Sequence, residues 1–469
     1  MTEMHTQRPT RRPSVFVCAA LSIFALVKIM YVVRAILPHP HGTFHVVRGS
    51  DTPTYFAASK LSVFSVDFYR APGPVGFLVL MKLVARNLRA LVLVQTAISI
   101  AAWSLLAYSV RATVQSGIAR VVGFAGVLAT GLAPAFAMWE VSTGTESVAI
   151  SAIVVVLAFG IRLSMSADSR TLFGFIAALV ASSFIHDIDA IIAGSLGLVA
   201  LAAVIVPRWR AAHARKLVAS ALVLLFTAGT AMALSNSARR WYWPVSETLT
   251  LRIAATPEGY DWLVSHGMPD DGSVRRLQAN YFVTYPGFQD NAADYRALRH
   301  WLDTKGRSSY TEYLVSHPKF VLSSPRHSLA DQFTPPVAPI AVAQHIGADP
   351  VMRGFGRVGL PPFRAAVVWA ILAMVGLGVV AALDRARRRV CTVIFACGFI
   401  VIPHALAVFH GDVLELARHS VSVAVQARVV VWVATAIVID WCAARRASSR
   451  KSDVDEPDAQ SLSGAANPV

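Results

Sequence analysis

The sequence is poor in charge. Only 15% of its 469 residues are Asp, Glu, Lys or Arg, against roughly 25% in a soluble protein. That leaves too little polar surface to cover a globule of this size, and a water-soluble chain of about three domains is excluded. Cysteine is scarce as well. The four, Cys18, Cys391, Cys397 and Cys442, fall in or beside apolar segments, and their spacing matches neither a zinc site nor a disulfide framework. No G-x-x-x-x-G-K-[ST] stretch occurs, so an ATP-driven pump has no support.

Apolar sequence is what the chain has in quantity. Hydrophobic residues make up 55% of it, and the mean hydropathy is +0.54. This composition belongs to an integral membrane protein, all-α and polytopic. The net charge of +16 and the pI near 10.2 would suggest nucleic acid in a soluble chain. In a membrane chain they reflect Lys and Arg retained on the cytoplasmic side, so no nucleic-acid partner is expected.

A span needs about 20 mainly apolar residues. Ten segments meet this need: 14–37, 89–110, 121–139, 147–165, 170–186, 188–207, 217–236, 365–383, 390–410 and 421–442. The first is too long, and too charged at Lys28 and Arg34, for a cleaved signal peptide. The run 72–85, at 14 residues with Lys82 inside it, suits an interfacial or re-entrant helix better than a span. Omitting it from the spans puts 19 Lys and Arg in the short connections on the N-terminal side and 1 in the short connections opposite. The positive-inside rule then places both termini in the cytoplasm, as expected for a multi-pass protein of a bacterial plasma membrane.

Four regions follow from this reading: a membrane domain 1–236 with a first outer loop 39–86, an outer loop or cap 237–364, the last spans 365–442, and a tail 443–469 expected to be disordered. In the cap, Trp241-Tyr242-Trp243 reads as an aromatic belt at the bilayer surface. Thr256-Pro257-Glu258 starts a helix that Gly267 ends. Ser309 and Glu312 read as a capping box for a helix stopped by His317-Pro318.

Sorted by side, the acids and histidines near span ends gather on the outer face. Asp51 and Tyr55 lie in GSDTPTY, Asp67 and Arg70 in VDFYRAPGP, and Glu140 and Glu146 in WEVSTGTES. His186, Asp187 and Asp189 lie in FIHDIDA, and Asp412, Glu415, Arg418 and His419 in HGDVLELARH. Acids that merely cap helices would spread over both faces, whereas ionisable groups at membrane depth are functional candidates by default.

The order of these motifs resembles the GT-C superfamily of polytopic glycosyltransferases, which includes protein mannosyltransferases and lipid A aminoarabinose transferases. The shared features are an acid soon after the first span (Asp51), a Pro-Gly turn after an arginine (Arg70-Ala71-Pro72-Gly73-Pro74) and a Thr-Glu-Ser at a span start (Thr145-Glu146-Ser147). A large outer loop before the last spans and a late Arg-His pair (Arg418-His419) complete the layout. The resemblance implies transfer of a sugar from a polyprenyl-phosphate donor to a glycan, lipid or protein hydroxyl outside the cytoplasm, with inversion. Asp51 and Glu146 are then the catalytic carboxylates, one taking the acceptor proton. Arg70, Arg418 and His419 would hold the donor phosphate; Tyr55, His186 and Asp187 are further candidates. Where several relatives carry two adjacent acids, this chain has Asp51 alone between Ser50 and Thr52. No metal ligand set is assigned, and the need for a divalent cation stays open.

Each residue also has a plainer reading. Asp51 and Glu146 would cap the helices that follow them, His186-Asp187 would close a tight turn, and Arg70 and Arg418-His419 would contact lipid headgroups. A polysaccharide polymerase or ligase would use Arg and His in place of a carboxylate. A lipid-sugar transporter or flippase would more often carry charges mid-span and paired broken helices.

Overall fold

The computed structural model describes residues 15–36, 52–71, 73–166, 168–334, 350–359, 361–411, 413 and 416–455. Asp51, Asp412 and Glu415 are outside these residues. Among them every regular element is helical, the all-α polytopic architecture expected from composition.

The bundle begins with α1 (Val15–Ile36). Three short helices follow: α2 (Thr52–Lys60), α3 (Val66–Arg70) and α4 (Val75–Leu83). At nine residues α4 is far too short to cross, and it packs on α2 and α9 as an interfacial piece. Next come α5 (Leu88–Thr113), α6 (Gly117–Leu132), α7 (Pro134–Ala137), α8 (Glu146–Met165), α9 (Ser169–Ile185), α10 (Asp187–Ala203) and α11 (Pro207–Ser237). After the cap, α12 (Phe363–Leu383), α13 (Arg388–Gly411) and α14 (Val421–Asp455) close the bundle.

Seven of these helices are long and apolar enough to cross a membrane: α1, α5, α8, α11, α12, α13 and α14. An eighth crossing exists if α6 and the segment Pro134–Val141 count as one, although they meet at a 54° bend. Pro134 explains the break, since it removes a backbone donor and clashes with the preceding turn. The expected spans 170–186 and 188–207 are α9 and α10, of 17 residues each. At 1.5 Å per residue each is about 25 Å long, short of the ~30 Å hydrocarbon core.

α14 is the most enclosed of these seven helices, with 72% of its apolar stretch buried against 22% for α12. Small residues let α6 approach it closely: a Cβ on Gly126 would strike the Trp432 ring, and one on Gly123 would lie 2.9 Å from Ala436. At the end of the bundle away from the cap, Asp440 of α14 ties three elements together. Its Oδ1 accepts from the Gln115 and Ser116 amides at 2.7 and 2.6 Å, and its Oδ2 from Arg387 at 2.8 Å. Arg387 also bonds Asp384 at 2.5 Å, which holds the Asp384 carboxyl below its ordinary range. That contribution is present above the ordinary carboxylate range and is lost as pH falls through the lowered value. Asp440→Ala is expected to destabilise the protein by about 2 kcal/mol, because it strands two backbone amides and leaves Arg387 with Asp384 alone; denaturant unfolding in detergent measures it.

The cap has an apolar core of its own, built on Leu249, Ile253, Leu263, Leu298 and Trp301. Thr256 caps the helix Pro257–Ser265 by accepting from the Gly259 amide at 3.1 Å, and Gly267 ends it at φ +87°. Two expectations are corrected. Ser309 caps nothing: helical backbone runs unbroken from Arg296 to Ser316, and Ser309 sits inside it. Of the aromatic run, Tyr242 is buried in the cap core and Trp243 packs on Tyr285 and Phe288. The tail is helical to Asp455 as a continuation of α14, with no proline or glycine to stop it before Pro457. Residues 456–469 lie outside the described residues.

The sequence Gly354-Phe355-Gly356-Arg357-Val358-Gly359 has the spacing of a dinucleotide-binding turn. It lies within the helix Pro350–Gly359, packed on α6. No strand precedes it among the described residues, and a Cβ on Gly359 would lie 2.8 Å from the Ala129 carbonyl oxygen. Gly356, whose Cβ would lie 3.2 Å from Pro134, and Gly359 serve helix packing.

Candidate functional site

The cap docks on the bundle where α11 and α13 end and α8, α10 and α14 begin. Arg252 donates to the Phe409 carbonyl and Tyr310 to that of His410, while His410 Nε2 lies 3.0 Å from the Val321 carbonyl. Around this junction the structure gathers polar side chains from widely separated segments.

Glu146, the first residue of α8, is buried with its side chain 6% exposed, and its Oε1 accepts from Arg418 Nε. Its Oε2 is buried with no hydrogen-bond partner among the described residues. The carboxylate rests on Gly144, where a Cβ would collide with Oε2. Beside Arg418, the ring of His419 stacks on His186 at 5.9 Å between centroids. His186 Nδ1 lies 3.8 Å from Asp189 Oδ1, and Asp189 is fixed by Ser182.

Asp187 is held by a partner that the sequence does not suggest. Arg240, just past α11, grips it with both forks, Nε at 2.9 Å and Nη2 at 3.0 Å, and Ser235 adds a bond at 2.7 Å. Arg240 Nη1 also donates to the Gly73 carbonyl at 2.7 Å. Gly73 adopts φ +104°, the left-handed region where a side chain is strained, and a Cβ there would lie 2.8 Å from the Tyr55 ring. The Pro-Gly turn and Tyr55 are thereby attached to α10 and the cap.

Beneath this layer is His404, buried in α13. Gln426 Nε2 donates to the Cys397 carbonyl at 3.0 Å, which leaves its Oε1 to accept from His404 Nδ1 at 3.0 Å. His404 Nε2 is then the acceptor side, 3.3 Å from the Ser422 hydroxyl. That hydroxyl also lies 3.3 Å from the His419 carbonyl, so the buried histidine supports the start of α14 beside Arg418.

Of the expected site residues, Glu146, Arg418, His419 and His186 form one cluster, with Asp187 and Tyr55 joined to it through Arg240 and Gly73. Arg70 does not join. It is exposed at the end of α3 and makes no hydrogen bond or ion pair among the described residues. Glu140 lies elsewhere too, buried against Lys28 of α1. Asp51 falls one residue before α2 and outside the described residues. Among the described residues no three His, Cys, Asp or Glu side chains converge closely enough to hold a metal ion. His404 and Gln426 were missed by sequence reasoning, and Arg240, with Arg239 an alternative phosphate group to Arg70 and Arg418 in the sequence reading, was not paired with Asp187. His404 reads as a lone histidine in an apolar run; only its partners distinguish it.

No family description matches the chain, and no curated protein matches it.

Proposed function

We propose that this multi-pass membrane protein is a glycosyltransferase of GT-C type, transferring a sugar from a polyprenyl-phosphate donor to an acceptor hydroxyl on the extracytoplasmic face. The observation that carries the reading is the convergence of Glu146, His186, Arg418 and His419 at one end of the bundle, under a cap. Inverting transfer needs a carboxylate to take the acceptor proton while the nucleophile closes on the anomeric carbon. It also needs cations for the charge growing on the leaving phosphate. Asp51 is the base in this reading. Glu146 orients Arg418 toward the phosphate, with His419 beside it. α9 and α10 complete ten crossings, both termini are cytoplasmic, and the membrane is a bacterial plasma membrane.

The deciding experiment compares envelope glycans and polyprenyl-linked sugars from cells with and without the protein. Loss of one sugar linkage, with its lipid-linked donor accumulating, is the expected result; unchanged glycans and donor pools would refute the reading.

Sidedness has its own test. An impermeant thiol reagent applied outside intact cells is expected to label single cysteines placed in 255–330 and to leave those in 208–216 untouched. The reverse pattern would move the cluster to the cytoplasmic face.

The phosphate role separates two arginines. Lysine keeps the charge and loses the planar fork, so Arg418→Lys is expected to raise the KM for donor about tenfold, the cost of one good hydrogen bond. Arg70, exposed and outside the cluster, is expected to tolerate the same change. Wild-type behaviour from Arg418→Lys would place the phosphate on other groups.

A further inference from the structure

The segment between the bend and α8, residues 138–145, is buried at every position although only Met138–Val141 is helical, as a single 3-10 turn. Non-helical backbone at membrane depth persists only where protein side chains hold it. Two residues one turn apart on α5 do so. Gln95 Nε2 donates to the Gly144 carbonyl at 3.2 Å, and Ser99 Oγ donates to Glu140 Oε1 at 2.7 Å. Their targets, Gly144 and Glu140, are likewise four residues apart, so α5 grips the segment at matching intervals. From α1, Lys28 pairs with the same Glu140 oxygen and donates to Ser99 Oγ at 3.0 Å. Lys28 is fully buried and Glu140 is 5% exposed.

The segment held this way ends at Gly144, on which the Glu146 carboxylate rests, and Glu146 in turn holds Arg418. We propose that Lys28, through Glu140, is a positioning residue for the Glu146–Arg418 pair: the buried ion pair sets where the 138–145 segment delivers that carboxylate. A pair serving stability alone would be replaceable by two apolar side chains. A pair serving position would not, because methionines pack without fixing a direction. The role in transfer rests on the glycosyltransferase reading; the role in holding the segment does not.

The test uses the full-length protein in a background with its four cysteines replaced, with Thr143→Cys, a site 1% exposed, as reporter for N-ethylmaleimide. In the otherwise unchanged protein the reporter is expected to react slowly. In Lys28→Met/Glu140→Met, with an unfolding midpoint near that of the parent, it is expected to react at least about tenfold faster through local opening. Sugar transfer is expected to fall about 10²-fold, in kcat more than KM, as for a misplaced catalytic constellation. A folded double variant that labels as slowly as its parent overturns the proposal, whatever the transfer rate. Faster labelling with undiminished transfer leaves the segment held as proposed and removes Glu146 from the site, which is a failure of the functional reading. Should the double variant not fold, Glu140→Gln breaks the same ion pair with the side-chain bulk kept. It is expected to speed labelling, and parental labelling in a folded Glu140→Gln protein likewise overturns the proposal.

Discussion

Asp51→Asn is expected to lower sugar transfer by about 10²–10⁴-fold, the usual loss when a general base is removed. Thermal stability should hardly change, since Asn caps a helix about as well as Asp and α2 begins at the next residue. Glu146→Gln is the informative comparison, because Glu146 is buried and bonded to Arg418. Removing its charge breaks an enclosed ion pair, so this variant is expected to lose both transfer and about 3 kcal/mol of stability. Purified variants assayed for transfer and for detergent unfolding separate the two patterns. If Glu146→Gln abolishes transfer with stability intact while Asp51→Asn is active, the base is Glu146. If neither change affects transfer, no carboxylate does the chemistry, and the polymerase or ligase reading built on Arg418, His419 and His186 becomes the better one.

The parts of this site that were legible in the sequence are those set by local pattern. Apolar runs mark the bundle, Thr256 and Pro257 mark a helix start, and His317-Pro318 marks a stop; all depend on residues within a few positions of one another. The grouping of Glu146 with Arg418 was legible only as a shared side of the membrane, because hydrophobic pattern places a residue at a depth and says nothing about which helices touch. Glu140 shows the limit. It is six residues from Glu146 and looks equivalent to it, yet it faces α1 and α5, because Pro134 bends the chain before it. Its partner Lys28 lies 112 residues earlier, and in the sequence Lys28 is only a charge that argues against a signal peptide. The expected spans 170–186 and 188–207 are likewise helices of 17 residues, α9 and α10, a length at which hydropathy alone does not decide a crossing.

The pairing of Lys28 leads to the second large effect. Lys28→Met is expected to cost the fold about 3–5 kcal/mol, the range seen when one partner of a buried pair is removed. Methionine replaces the bulk of the lysine stem, so packing accounts for little of this. The cost arises because Glu140 keeps one hydrogen bond, from Ser99, and has no counter-charge in a medium that solvates anions poorly. Glu140→Gln should cost less, because its amide oxygen can still accept from Lys28 and Ser99. Adding Glu140→Met to Lys28→Met removes the stranded charge and is expected to return most of the lost stability. Equilibrium unfolding of the four proteins in mixed micelles measures the order: wild type, then the double variant and Glu140→Gln, then Lys28→Met. A Lys28→Met protein within about 1 kcal/mol of wild type would mean that the pair contributes no more than an exposed one does. The bend at Pro134 would then be held by apolar packing alone.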